Sequence, residues 1–407
     1  MVGAISHIDE FAVVTGGVVA PAGFKAGSTA AGIKSDGILD MGAVFSSVAP
    51  CTATGMFTTN RVCAANVDIN RARVAAGGAR GVVFNSGNAN TYTGSDGYAD
   101  TLRMAALFAE TQGVPEHSIL VASTGVIGFR LPMDRVESGI RGLELRSTDG
   151  VDVARAMMTT DAFPKSISIE VPLAIGVVRM GGVAKGAGMI HPNMATMHAF
   201  ITTDAALDSS VAKELLHGAV TDSFNMISVD GDQSTSDTVL MFANGAAELP
   251  LLQGNDLETF RRALRAVCVH LAREMVRGGE GVTKVVTIQV KGGMSVADAR
   301  LAARGISTSL LVKTAIHGGD PNWGRVVVAL GNSGARFDPE AIDMWIGDTC
   351  TVAAGRIQDY CESDVAAHFQ EPQCCISVDL HAGTAAATAW TGDLSPEYVQ
   401  INAEYMT

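Results

Sequence analysis

Stretches with strand character come in clusters along this chain, without one-for-one alternation of strand and helix, and that ordering most narrows the fold. β-type runs occupy Gly81 to Phe84, Ser166 to Val171, Thr238 to Phe242, Val285 to Val290, Arg325 to Leu330 and Ile376 to Leu380. One long helix stands out among them, because Leu257, Phe260, Leu264, Val267, Leu271 and Met275 step by three or four. That period predicts a one-sided helix from Asp256 to Arg277, opened by a cap at Asn255 or Asp256 and closed by Gly278-Gly279. Further helices are expected from Asp100 to Gln112, stopping at Gly113, and after Asp208, whose carboxylate can cap the first turn. A doubly wound parallel sheet needs alternation. The expectation is therefore an α+β architecture of layered sheets flanked by helices. Gly278-Gly279 marks the domain break: residues 1–280 form a larger domain and 281–407 a smaller α+β one, with 331–340 a surface loop.

Composition bounds the function. Of 407 residues, 47% are hydrophobic and 17% charged, enough to build a large core. Glycine is frequent (45) and aromatics scarce (5%), which favours tight turns and close backbone approach. The net charge of −13, with no basic stripe, argues against a nucleic-acid or anionic-membrane partner. Seven cysteines without a C-x-x-C spacing suit free thiols in a reducing cytoplasm. Met1 to Glu10 lacks the basic-then-apolar order of a secretory signal. The most apolar stretch, Val171 to Ile190, is interrupted by Arg179 and Lys185, so no membrane span is expected. Nine histidines without H-x-x-x-H or H-E-x-x-H spacing point to no metal centre.

The segment Lys185-Gly186-Ala187-Gly188-Met189-Ile190-His191-Pro192-Asn193-Met194-Ala195-Thr196-Met197 carries the chemistry. It lacks the Gly-Lys-Ser/Thr ending of a phosphate loop and the G-x-G-x-x-G of a dinucleotide site. Gly318 to Arg325 is no phosphate loop either, because Pro321 removes a needed donor; a turn presenting Asp320 and Asn322 near the site fits it better. In the 185–197 stretch, a threonine after a Pro-Asn turn can attack the carbonyl of the small residue before it. An N-to-O acyl shift followed by hydrolysis then frees Thr196 as a new N-terminus. The released α-amine, with an ordinary pKa of about 7.7–8.0, supplies the base that a hydroxyl nucleophile needs. Read alone, Thr196 has a plain alternative as the first residue of an apolar wall, and His191 and His198 have packing roles.

Ordered blocks along the chain settle which reading to pursue. They include Ala20-Pro21-Ala22-Gly23-Phe24, Phe57-Thr58-Thr59-Asn60, Asn85-Ser86-Gly87-Asn88-Ala89-Asn90, Ser123-Thr124-Gly125-Val126-Ile127-Gly128 and Met157-Met158-Thr159-Thr160-Asp161. Later come Glu280-Gly281-Val282-Thr283-Lys284, Leu311-Val312-Lys313-Thr314-Ala315, Gly319-Asp320-Pro321-Asn322-Trp323-Gly324-Arg325 and Asp393-Leu394-Ser395. With the segment around Thr196, they resemble the ornithine acetyltransferase family (ArgJ, bifunctional glutamate N-acetyltransferase) over nearly the whole chain. Asn66, Thr91-Tyr92-Thr93-Gly94 and Met406 depart from the family pattern, away from the nucleophile.

The resemblance implies an autoprocessed N-terminal-nucleophile fold cut into residues 1–195 and 196–407, the two pieces sharing one core. It implies that Thr196 takes an acetyl group from N2-acetyl-L-ornithine and passes it to L-glutamate, in the cytoplasm, for arginine biosynthesis. Thr124 and Gly125 would form the oxyanion hole. Thr159, Lys185, Thr196, Glu280, Asn402 and Thr407 would bind substrate, with the choice between Thr159 and Thr160 left to strand register. No cofactor is implied; acetyl-CoA is a conceivable second donor, and the assembly would be a heterotetramer of two α and two β chains. Two readings from other classes share parts of this pattern: an N-terminal-nucleophile aminopeptidase or amidohydrolase, and an uncut amino-acid binding protein.

Overall fold

The computed structural model describes residues 7–35, 37–148, 150–191 and 197–404. Thr196 and Thr407 lie outside them. Three sheets organise the described chain. The first runs Ala12–Val13, Lys165–Leu173, Gly176–Lys185, His198–Thr203, Thr238–Ala243, Thr52–Phe57, antiparallel except for the parallel pair His198–Thr203 and Thr238–Ala243. The second runs Phe24–Thr29, Met41–Ser46, Gly81–Asn88, Ile119–Val126, its last pair parallel. These two sheets face each other across a shared core. Phe24, Val44, Phe84 and Leu120 of one meet Val183, Phe200, Leu240 and Phe242 of the other, with Phe84 and Phe200 ring centroids 5.6 Å apart.

Helices cover the outer faces. Gly94–Gln112 lies on the four-stranded sheet, burying Met104 and Phe108 against Val83 and Val121. Gly254–Arg277 lies on the six-stranded sheet. The result is helix, sheet, sheet, helix. Such double covering explains why Met41–Ser46, His198–Thr203 and Thr238–Ala243 are buried on both faces and read as unbroken apolar runs. Truncating Phe200 would cost about 3–5 kcal/mol, the usual toll for a fully buried aromatic.

The third sheet has seven strands in the order Ile227–Ser228, Ala385–Gly392, Val285–Gly293, Gln373–Asp379, Asp343–Ile346, Thr349–Ala353, Arg356–Ile357. The helix Val296–Thr308 packs on it. The architecture is α+β in layers, as expected. Helix Gly94–Gln112 ends at Gly113, whose φ of 66° lets its N–H reach Ala109 and Glu110 carbonyls. Asp208 caps the helix Ser209–Thr221 by accepting from Ser210 N at 2.8 Å.

Three local expectations fail. Arg325 to Leu330 is part of a helix, Trp323–Gly331. Its β-branched run Val326-Val327-Val328 reads as a strand, yet Val326, Ala329 and Leu330 are buried at helical spacing while Val328 is 58% exposed. The long helix starts at Gly254 after Gln253, without a side-chain cap; Asp256 instead accepts from Ala174 N at 2.7 Å, tying the helix to a turn of the six-stranded sheet. Asp320 and Asn322 do form a turn, hydrogen-bonded to each other, but do not line the cavity described next.

Candidate active site

A cavity of about 430 Å³ opens where the ends of the two facing sheets meet the helix Pro396–Glu404. Of the residues singled out from sequence, Thr124, Gly125, Thr159, Lys185, Glu280 and Asn402 all border it, and Thr160 does too.

Thr124 and Gly125 end the strand Ile119–Val126, beside Ser86 and Gly87 of the parallel neighbour. Gly125 has φ +132°, and a Cβ there would sit 2.3 Å from Gly87 C and 2.5 Å from Asn88 N. Only glycine lets the two backbones come this close. The Asn85–Asn90 stretch braces that turn through its own amides: Asn85 Nδ2 donates to Asn88 O, and Asn88 Nδ2 to Arg130 O.

Lys185 ends the central strand Gly176–Lys185 and is only 2% exposed. Its Nζ donates to Thr124 Oγ1 at 3.2 Å. An ammonium has no lone pair, so the Thr124 hydroxyl accepts there and keeps its own proton to give elsewhere. Burial pulls the Lys185 pKa down, while Asp161 works against that fall. Asp161 is the hub below: it accepts from Lys165 Nζ at 2.5 Å, Gly186 N at 2.7 Å and Thr159 N at 3.1 Å. Burial pushes its carboxyl up, but Lys165 and Lys185, with these hydrogen bonds, outweigh it and hold the pKa below the usual range. This one carboxylate fixes the turn at Thr159, the end of the strand at Lys185, and two buried cations.

Glu280, 5% exposed, follows the glycine pair after the long helix. Its carboxylate lies against Gly188, where any added Cβ would come within 2.4–2.6 Å of it. Asn402 Nδ2 donates to Glu280 Oε2 at 2.8 Å and to Tyr398 O at 3.0 Å, so the Asn402 amide nitrogen is committed within the protein. The helix Pro396–Glu404 thus presents Tyr398 and Asn402, one turn apart, to the cavity.

Both flanks of the segment 192–196 are held by carboxylates. Before it, Asp230 accepts from Met189 N (2.5 Å) and Ile190 N (2.8 Å), with Met189 at φ 56°, a conformation non-glycine residues rarely hold. After it, Asp237 accepts from Met197 N at 2.9 Å. Burial raises the pKa of both acids. Burial also raises Tyr398, assisted by the charges of Asp230 and Glu280. His191 takes a packing role, its Nε2 2.9 Å from Arg304 Nη2 and its pKa lowered by burial to about 4. His198 is fully buried, bonds Ser236 O at 3.1 Å and falls to about 3 for the same reason. Both are neutral at physiological pH.

Sequence reasoning passed over Asp230, Asp237, Tyr398 and the hydroxyl-rich wall at Ser234, Thr235 and Ser236. A signal existed: the polar run Asp230-Gly231-Asp232-Gln233-Ser234-Thr235-Ser236-Asp237 interrupts two apolar stretches, as a chain lining a wet cleft would. Among the described residues, no group of three or more His, Cys, Asp or Glu could hold a metal ion, and no helix is long and apolar enough to cross a membrane. All seven cysteines are free thiols.

Known proteins resemble the chain closely. The ArgJ family model matches residues 25–407. The arginine biosynthesis bifunctional protein ArgJ of Symbiobacterium thermophilum is 48% identical over 400 residues, covering 97% of this chain and 99% of that protein. Among solved structures, ArgJ of Bacillus halodurans is 40% identical with a TM-score of 0.50, covering 51% of this chain and 98% of the solved one. The ornithine acetyltransferase of Mycobacterium tuberculosis, complexed with ornithine, is 39% identical with a TM-score of 0.42, covering 44% of this chain and 97% of the solved one.

Proposed function

Since the chain belongs to the ArgJ family and is an acetyl-transferring enzyme of arginine biosynthesis, we propose that it moves acetyl from N2-acetyl-L-ornithine to L-glutamate through an ester on Thr196, freed by cutting its own Ala195–Thr196 bond. The observation that carries this reading is the convergence of Thr124, Gly125, Thr159, Lys185, Glu280 and Asn402, remote from one another in sequence, on one cavity.

The chemistry follows from that arrangement. The Thr196 hydroxyl attacks the acetyl carbonyl of the donor, its proton passing to the free α-amine. The resulting oxyanion is met by the Thr124 hydroxyl, whose proton is left free by the Lys185 contact, and by the Gly125 N–H. Each such donor contributes about 2.7–4 kcal/mol to lowering the barrier. Ornithine leaves, glutamate enters, and its amine attacks the same ester. One amide replaces a similar amide, so no ATP is required. Glu280 receives the side-chain ammonium of ornithine, with Asn402 holding one carboxylate oxygen in place. The helix bearing Asn402 leads on to Thr407, read as a further substrate contact, and shields the ester from water.

Self-cleavage draws support from the solved relative of Bacillus halodurans, matched over 98% of its length yet spanning 51% of this chain, the size expected of one fragment. A heterotetramer of two such cut pairs is the assembly we infer from the family. Acetyl-CoA as a second donor would load the same threonine.

Denaturing electrophoresis tests the core of the proposal. Wild-type protein should give two bands of nearly equal mass, and Thr196→Ala a single inactive chain near 42.1 kDa. Full transferase activity in uncut Thr196→Ala protein would end this reading. Release of free acetate in place of acetylglutamate would favour the amidohydrolase alternative.

A further inference from the structure

We propose that the hydroxyls of Ser234 and Ser236 hold the side-chain carboxylate of the acceptor, so that donor and acceptor share one cavity but rest their side chains on different walls. This assignment rests on the transfer to glutamate proposed above and adds to it the residues that recognise the second substrate.

The demand comes from charge. Beyond the α-carboxylate they have in common, acetylornithine ends in an ammonium and glutamate in a carboxylate. Among the described residues lining the cavity, Lys185 is the only cation, while Asp230, Asp232 and Glu280 are acidic. Glu280, with one oxygen tied to Asn402, suits an ammonium and repels a carboxylate brought to the same spot. Lys185 has two N–H groups left after Thr124, enough for one carboxylate. The other carboxylate of glutamate needs neutral donors, away from Glu280.

The wall at 233–236 is built as such a donor surface. Four successive carbonyls there are each taken by the body of the protein. Asn60 Nδ2 donates to Gln233 O at 3.0 Å, Thr58 Oγ1 to Ser234 O at 2.8 Å and Ala64 N to Thr235 O at 2.9 Å. Ser236 O accepts from His198 Nε2 and Thr238 Oγ1, both at 3.1 Å. The middle hydroxyl is also engaged, because Thr235 Oγ1 lies 3.0 Å from Thr91 Oγ1. Ser234 Oγ accepts from Ser236 N at 3.2 Å, which leaves its proton to give. Neither the Ser234 nor the Ser236 hydroxyl donates to an acceptor among the described residues, and both serines line the cavity while only 2% and 3% exposed.

With its acceptors occupied, this wall has two hydroxyl protons to offer, one for each oxygen of a carboxylate. Hydroxyls also suit a cavity that must receive opposite charges in turn. A second lysine or an arginine here would oppose the ammonium of ornithine, whereas a hydroxyl is neutral and can accept as well as donate.

Initial rates of the cut enzyme, with acetylornithine and glutamate varied separately, test the assignment. Ser236→Ala should raise KM for glutamate about tenfold and the Ser234→Ala/Ser236→Ala double variant about a hundredfold, as for hydrogen bonds to a charged group. KM for acetylornithine should hold within about twofold in both, since the donor brings no second carboxylate. Ser236→Thr keeps the hydroxyl and should restore most of the loss. Offered glutamine in place of glutamate, the double variant should show little of the wild-type preference for the acid. A joint rise of both KM values, an unchanged KM for glutamate, or a fall in kcat alone would overturn the proposal. Should the double variant melt early, the single variants decide by the same comparison of glutamate with glutamine. A wild type that makes no acetylglutamate removes the transfer reading itself; a transferring wild type beside variants with normal KM removes only the two serines.

Discussion

Among the described residues, two buried clusters of lysine and aspartate invite comparison, and one of them borders the cavity. At the cavity, Lys165 and Lys185 flank Asp161, and Lys185 spends its contact on a single hydroxyl, that of Thr124. In the seven-stranded part, Lys284 and Lys313 lie near Asp393, and each donates to two acceptors of its own chain. Lys284 Nζ donates to the carbonyls of Ile316 and His317, and Lys313 Nζ to Thr391 Oγ1 and the Gly392 carbonyl. Asp393 accepts from Thr283 N, Thr283 Oγ1, Lys284 N and His317 Nδ1 at 2.6–2.8 Å. The residue types match; the leftover valence does not. A buried charge with two spare donors facing a cavity is equipped to meet a ligand, whereas one mostly satisfied by its own chain and away from that cavity is a fastening.

Substitution should break the symmetry most sharply at Lys185. Lys185→Met is expected to lower transferase turnover by about 10²–10³-fold, roughly 3–4 kcal/mol of barrier, with little change in melting temperature. Steady-state kinetics beside thermal denaturation checks both halves. Asp393→Ala should do the reverse. It strands several donors and two nearby lysines, and should cost about 3 kcal/mol or more of stability by urea titration while sparing turnover in the protein that remains folded.

Acid should separate the two regions in order. His191 and His198 are held neutral, with pKa values lowered to about 4 and about 3. Their unfolded forms bind protons from about pH 6.5 downward, so the stability they support is full above that value and is lost as pH falls toward 4 and then 3. Burial pushes the Asp393 carboxyl up, but its hydrogen bonds outweigh this and hold it below the usual range. Its contribution is intact above the ordinary carboxylate pKa of about 3.9 and is lost only as pH falls through the depressed one. Amide hydrogen exchange followed from pH 7 to 3 should therefore show protection weakening first around strand His198–Thr203 and later around Thr283 and Lys284. Simultaneous loss would contradict the comparison. The smallest effect is expected of Asn402→Ala, which frees a Glu280 oxygen: KM for acetylornithine should rise about 3–10-fold, equivalent to a hydrogen bond of about 0.5–1.5 kcal/mol, with kcat nearly unchanged.

What the chain discloses in its letters, and what it withholds, follows the same division. Gly125, Lys185 and Glu280 stand out because the blocks that hold them resemble a family pattern; only Lys185, a charge in an apolar, glycine-rich run, also leaves a mark of its own. Lys284, Lys313 and Asp393 stand in equally distinctive blocks, yet nothing in those blocks says that each lysine already donates to two acceptors of its own chain. Asp230 and Asp237 went unread because they act on backbone N–H groups of remote residues, a pairing no spacing encodes. The helix at Trp323–Gly331 was misread for a related reason: three successive valines favour a strand locally, and burial at positions 326, 329 and 330 overrides them.

The six-stranded sheet decides what a cut before Thr196 would do to the molecule. Strands His198–Thr203 and Thr238–Ala243 stand side by side, gripped on one flank by Gly176–Lys185 and on the other by Thr52–Phe57, so material that follows position 196 is laced between lengths that precede it. Opening the backbone at that point would release neither piece. A severed protein would remain mechanically a single body, and prising its parts from each other would demand as much as melting it.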